Sequence, residues 1–519
     1  MLTLPQTQGP YAVGCTTFAA LLPQEVVVGD AKLQSSCLGG NPGEHALVMK
    51  EVAFTAFYPT EDRRHQRTCS FWGPWGSRRH TYWAIRPIKE VLRGYAHFGN
   101  TSFWLTYLIA GSFANHLKIP AYENVPLLDP SKRHDSPSTP WPLVIFSHGL
   151  AGTRTTYSHF CCQLASQGRV VLAIEHRDGT GPFVMQVAPT PGREQITAPQ
   201  YRYYYNPEDV CYESQNGSDK FALRRDQLLY RSLEVYLAHS TFAQLVHANY
   251  GEELPSGLHT VDGPWNFDLE QRSEDMAFWR SWQCHSRNSP SKVQCDTGID
   301  LTGHSFGGAT VVCTKREGQI EEGIHTQLTH SQLSILSQPP PRSGPYKFES
   351  ICIGHAIALD PWLEPLPSPC PSPLRVESSL AKSYSPPKLL VINSEGFTLW
   401  DDHFARLKHI VQSWQGAGTK GTGDNSTLLL TILRCKHISF SDFGLFLPFG
   451  QGKRDAERLL KIVCDLSNNF LGDNIAPVLA RFKPKEEMSL TLEENRVKGK
   501  WDWNHRYVGQ LGEIVRHKY

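Results

Sequence analysis

The sequence predicts an α/β fold, a mainly parallel central sheet flanked by helices, and three observations predict it. Short apolar runs alternate with helix-like segments through the middle of the chain, the signature of βαβ units. The runs are apolar on both faces, as strands buried between helix layers are. One of them, residues 299–302, leads into Gly303-His304-Ser305-Phe306-Gly307. A G-x-S-x-G between a strand and a helix marks a sharp turn that lifts a serine hydroxyl clear of the sheet.

Taken in order, residues 143–146 form a strand ending at the turn-like Ser147-His148-Gly149, 156–167 a helix, and 170–174 the next strand. After the tyrosines at 201–205, Ser218-Asp219 can cap a long helix in which Leu229, Leu233 and Tyr236 repeat at helical spacing. Beyond Ser305, residues 351–359, 389–392 and 428–433 continue the sheet. Proline-, serine- and glycine-rich runs at 339–341, 365–373 and 416–426 read as loops.

The chain has 519 residues, enough for two domains, yet α/β architectures often run long as one. We expect a single domain over 1–480 with insertions near 61–80, 255–297 and 315–347, and a charged C-terminal extension over 481–519. The 51 Lys and Arg nearly cancel the 50 Asp and Glu, so no global field points to nucleic acid. A basic, aromatic stretch at 61–97 is a local patch that could recruit RNA or a protein.

Thirteen cysteines, an odd number without a C-x-x-C pair, form neither a disulfide framework nor a zinc site. They read as buried free thiols in a reducing compartment. Residues 1–20 carry no Lys or Arg, and Pro5 and Pro10 interrupt them, so no secretory leader is expected. Leu2 stands where myristoylation needs glycine. These features predict an intracellular, cytoplasmic protein, in which the sequons at Asn100, Asn216 and Asn425 carry no meaning.

A serine hydroxyl needs a histidine to take its proton and a carboxylate to hold that histidine. Folds with this elbow order them Ser, acid, His, each on a loop after a later strand. Asp360 follows the run 351–359, and His437 follows 428–433. Glu395, just after 389–392, is an equal rival to Asp360 by spacing, with Asp401 and Asp402 close behind. Among other histidines, His403 and His409 read as solvated surface residues, His355 as a satisfied core histidine, and His304 as pointing away from Ser305. Two amides would hold an oxyanion: Phe306 N–H after the nucleophile, and Leu150 N–H in the Gly-rich turn 148–152.

Several motifs together carry a family resemblance. These are residues 144–150 (VIFSHGL), 175–179 (EHRDG), 303–310 (GHSFGGAT), 358–362 (ALDPW), 392–395 (INSE) and 437–443 (HISFSDF), preceded by 9–14 (GPYAVG). In this order they resemble the platelet-activating factor acetylhydrolases, the plasma and type II intracellular phospholipases A2. The resemblance implies an α/β-hydrolase that removes a short or oxidised sn-2 acyl group from a phospholipid with no metal or other cofactor. It also implies Asp360 as the acid, with Glu395 at a non-catalytic position. The extra segments put acetyl specificity in question. A broader carboxylesterase or lipase, and a non-catalytic binding module, are the alternatives.

A phospholipid substrate raises the question of membrane contact. Residues 98–115 carry no charge but are interrupted by Gly, Asn, Thr and Ser, too short and polar to span a bilayer. Two readings stand: an interfacial helix with Trp104 and Leu108 in the lipid and Arg93 and Lys118 nearby, or a buried helix packed on the sheet.

Overall fold

The structure is a computed structural model. It describes the chain apart from residues 1, 35–39, 62–79, 134–137, 187–199, 213–218, 251, 253–256, 262–275, 288, 314–350, 367–386, 418–425, 447–449 and 495–504. The expected insertion at 315–347, most of 61–80, and the sequons at Asn216 and Asn425 lie outside the described residues. Two compact units are present, Met1–Phe146 with Ala151–Ser218 and Leu233–Asp296, and Ser147–Leu150 with Asp219–Ser232 and Thr297–Tyr519.

In the second unit, Ile299–His304, Ile353–Leu359, Lys388–Ser394 and Thr427–Ile432 lie side by side, all parallel. Their residues are almost all buried, so the apolar runs read from the sequence are strands covered on both faces. Helices Asp401–Ala417 and Gln451–Leu471 bury stripes at helical spacing: Leu407, Ile410, Val411 and Trp414 in one, Leu459, Val463, Leu466 and Phe470 in the other. The charged C-terminal segment also joins the sheet. Ile514–Arg516 pairs antiparallel with Thr427–Ile432 and buries Ile514 and Val515.

In the first unit, Trp141–Ser147 and Val170–Ile174 pair in parallel. Val48–Thr60 runs antiparallel to Val170–Ile174 and to Ala12–Val27. Lys118–Glu123 and His80–Tyr82 follow. The sequence gives little sign of the two long N-terminal strands, because their small residues, such as Ala19, Ala20, Ala53 and Ala56, blur the period-two alternation on which such a reading rests. A mostly parallel sheet flanked by helices, with a strand–turn–helix at Ser305, is the α/β-hydrolase fold.

Helix Phe103–His116, also in the first unit, is neither a span nor a core helix. Only Gly111 and Ala114 are buried, while Trp104 is 74 % and Leu108 80 % exposed. Of the two cations expected beside it, Lys118 is buried with its ammonium over the Tyr82 ring, while Arg93, paired with Glu90, lies 5.3 Å over the ring of Phe103 at the start of the helix. No helix among the described residues is long and apolar enough to cross a membrane.

Candidate active site

Ser305 sits between the strand Ile299–His304 and the helix Phe306–Val312 with φ 57° and ψ −116°. That backbone is strained for a side-chain-bearing residue and is held by three bonds. Ser305 N–H donates to Leu359 C=O at 2.9 Å, and Ser305 C=O accepts from Ala309 and Trp362, each at 2.9 Å. The surrounding glycines are steric requirements. A Cβ on Gly303 would overlap the carbonyl of Gly307, one on Gly307 the carbonyl of Ser147, and one on Gly308 would come within 2.9 Å of Pro361 Cα.

Asp360 leaves the neighbouring strand with φ 43° and is fully buried. Its Oδ1 accepts from Ser394 N–H at 2.5 Å, and its Oδ2 lies 3.0 Å from His437 Nδ1. His437 opens a short 3₁₀ turn after the strand Thr427–Ile432, and its Nε2 lies 2.9 Å from Ser305 Oγ. Three residues spread over 133 positions of chain thus meet in one hydrogen-bonded line. With Asp360 accepting at Nδ1, that nitrogen carries the proton and Nε2 faces the serine as an acceptor.

The two expected oxyanion donors belong to segments that pack closely. Phe306 opens its helix, so its N–H has no intrahelical partner. The turn Ser147–Leu150 is pressed against that helix, since a Cβ on Gly307 would also come within 2.8 Å of His148 C=O. The buried Arg231 ties both together: its guanidinium donates to His148 C=O at 2.5 Å and lies 4.6 Å over the Phe306 ring.

The rival acid has another occupation. Glu395 accepts from Arg434 N–H at 2.8 Å, from the Arg434 guanidinium at 3.3 Å and from Tyr507 N–H at 2.6 Å. His355 bridges Asp300 and Asp473 at 2.8 and 3.0 Å, while His409 is exposed. His403, expected on the surface, is 1 % exposed, with Nε2 3.0 Å from Pro361 C=O. The charged residues around it, Asp401, Asp402, Arg406 and Lys408, hide that it falls on the inner face of its helix. Burial pushes its pKa down to about 4.

Sequence adjacency also conceals the place of His304, whose ring centroid is 4.4 Å from that of His437. Burial, and then the charge His437 can carry, hold its pKa well below the usual value, so it stays neutral. His304, Asp360 and His437 bring possible metal-ligand atoms within 4.8 Å. A cation there would compete with the hydrogen bonds just described. Phe397, stacked on His437 at 4.5 Å, gives no signal in the sequence.

A nucleophile elbow on this sheet, beside a hydrogen-bonded histidine and carboxylate, defines a carboxylic ester hydrolase of the α/β-hydrolase class. Comparison with known proteins narrows the class. The profile of the family described as "Platelet-activating factor acetylhydrolase, isoform II" matches residues 1–476, and the chain belongs to that family. A platelet-activating factor acetylhydrolase of Gallus gallus is 25 % identical over 85 % of this chain and 74 % of its own. One of Cavia porcellus is 27 % identical over 90 % and 77 %, and one of Bos taurus 30 % over 61 % and 52 %. Among solved structures, a ferulic acid esterase from Streptomyces cinnamoneus aligns over 98 % of this chain and 99 % of its own, with 12 % identity and a TM-score of 0.45.

Proposed function

We propose that this chain hydrolyses the short or oxidised sn-2 acyl ester of phospholipids such as platelet-activating factor, through an acyl-enzyme on Ser305. The observation that carries the reading is the line from Asp360 through His437 to Ser305, with separations of 3.0 and 2.9 Å. Ser305 Oγ attacks the ester carbonyl as its proton passes to His437 Nε2, and Asp360 stabilises the imidazolium. The Leu150 and Phe306 amides receive the negative charge on the carbonyl oxygen. The imidazolium then protonates the departing lysophospholipid oxygen, and water activated by His437 cleaves the acyl-enzyme.

Labelling by a fluorophosphonate tests the nucleophile. Ser305→Ala is expected to lose it while keeping the wild-type thermal transition, and undiminished labelling would overturn the assignment. A panel of acetyl, oxidised and long-chain sn-2 phospholipids against simple esters tests the substrate class. Turnover confined to simple esters would leave a broader carboxylesterase.

The same reading places helix Phe103–His116 against lipid, where its exposed Trp104, Leu105, Leu108 and Ile109 lose contact with water. Burying a side chain of this kind contributes about 1.5–3 kcal/mol. The double variant Trp104→Ser, Leu108→Ser should therefore weaken liposome sedimentation by about a hundredfold or more. It should leave turnover of a monomeric ester unchanged, and unimpaired sedimentation would remove this anchor. An intracellular site of action is supported by Cys15, Cys284, Cys295, Cys435 and Cys464, which are buried and outside any disulfide.

A further inference from the structure

We infer that Phe397 is a positioning residue for the base, its ring setting the plane in which His437 meets Asp360 and Ser305 at once. The inference rests on the hydrolase reading above and adds a residue to it. The two hydrogen bonds and the Cβ–Cγ bond of His437 set its mean plane but leave the ring free to tilt by small χ1 and χ2 rotations. The His437 side chain is 39 % exposed, so general burial does not immobilise it.

His304, tilted by 37° at 4.4 Å, touches the imidazole without stacking parallel to it, and Phe397 supplies the parallel restraint. Its ring is parallel to the imidazole within 2° at a centroid separation of 4.5 Å. Side-by-side coplanar rings cannot approach so closely, so the phenyl lies over the imidazole face and opposes the tilt.

The phenyl is itself braced. His403 meets it edge-on at 5.2 Å and 80°, and Trp400 at 6.0 Å and 78°. His403 stacks on Trp400 at 4.7 Å, and its Nε2–H donates to Pro361 C=O at 3.0 Å, in the loop that carries Asp360. Phe397 also belongs to the short helix Glu395–Thr398, which follows Ser394, the donor to Asp360 Oδ1. Acid and brace are thereby tied to two neighbouring strand ends, and the stack joins the base, from the end of a third, to them.

The stack also suits the charge that develops. When His437 takes the serine proton, the face of an aromatic ring attracts the new cation. Burial keeps His304 and His403 neutral beside it, so neither competes for that role or repels the charge.

The test compares Phe397→Leu and Phe397→Met, which keep apolar bulk but lose the flat face, with Phe397→Tyr, which keeps it. For Leu and Met, kcat should fall about tenfold to a hundredfold with KM unchanged, as expected of a misoriented base. The second-order rate of fluorophosphonate labelling should fall alongside it. Tyr should restore both. Wild-type kcat in Leu or Met would overturn the inference, as would a Tyr variant as impaired as they are. Wild-type protein that neither turns over an ester nor labels at Ser305 would sink the hydrolase reading; an active enzyme indifferent to Phe397 would sink only the brace.

Discussion

Two of the carboxylate–imidazole pairs among the described residues, one in each unit, are built alike. In the first unit Glu234 Oε2 lies 2.6 Å from His176 Nδ1, while its other oxygen accepts from Arg177 N–H at 2.8 Å. In the second, Asp360 divides its oxygens in the same way between His437 Nδ1 and Ser394 N–H. The difference lies beyond the imidazole. His176 and Glu234 are wholly buried, whereas His437 is part-exposed and turns Nε2 to a serine on a strained elbow. Pairing a histidine with a carboxylate thus supports a fold as readily as a reaction. What separates the two is access and a serine hydroxyl at the second nitrogen.

The contrast can be broken by exchanging the same atoms in both pairs. Asp360→Asn should lower turnover by about 10⁴, because the base loses its orienting partner. Glu234→Gln should instead cost about 1–3 kcal/mol of stability through an imperfectly met buried pair, read as a lower Tm, with kcat of the folded fraction near wild type. Comparable losses of kcat in the two variants would erase the distinction.

Glu395→Gln sharpens it within the second unit. The change weakens bonds to Arg434 and Tyr507, so a stability loss of about 1–3 kcal/mol is expected with turnover within a few-fold of wild type. A turnover loss of about 10⁴ in Glu395→Gln, with Asp360→Asn nearly silent, would reverse the choice of acid.

The smallest effect concerns His355. Burial opposes its charge, but bonds to Asp300 and Asp473 outweigh it and raise its pKa above 6.5. A raised folded-state value gives stability that is complete below the unfolded pKa and is lost as pH rises through the folded one. Wild-type Tm should therefore fall relative to a His355→Gln variant as pH rises above about 6.5, and parallel curves would show that the bridge does not titrate there.

Much of this was legible in the residues. The strands flanking Ser305, Asp360 and His437 were marked by continuous apolar runs, and the segments of the two proposed oxyanion donors by a Gly-rich turn and an elbow. Less visible were features that depend on which face of a helix a side chain takes. His403 hides among charged neighbours, and Phe397 sits in a four-residue helix too short for any periodicity. The N-terminal strand pair was masked by small residues.

The order of serine, acid and histidine is a property of the sequence, and so is the glycine at 303, because a Cβ there would meet the carbonyl of Gly307 within the same turn; the glycines at 307 and 308 answer to Ser147 and Pro361, which the tertiary structure brings against them. Spacing alone left Asp360 and Glu395 level. Their separate occupations were decided in three dimensions, since a carboxylate acts on whatever polar groups the strand ends bring within about 3 Å. For Asp360 those are His437 and Ser394; for Glu395 they are Arg434 and Tyr507.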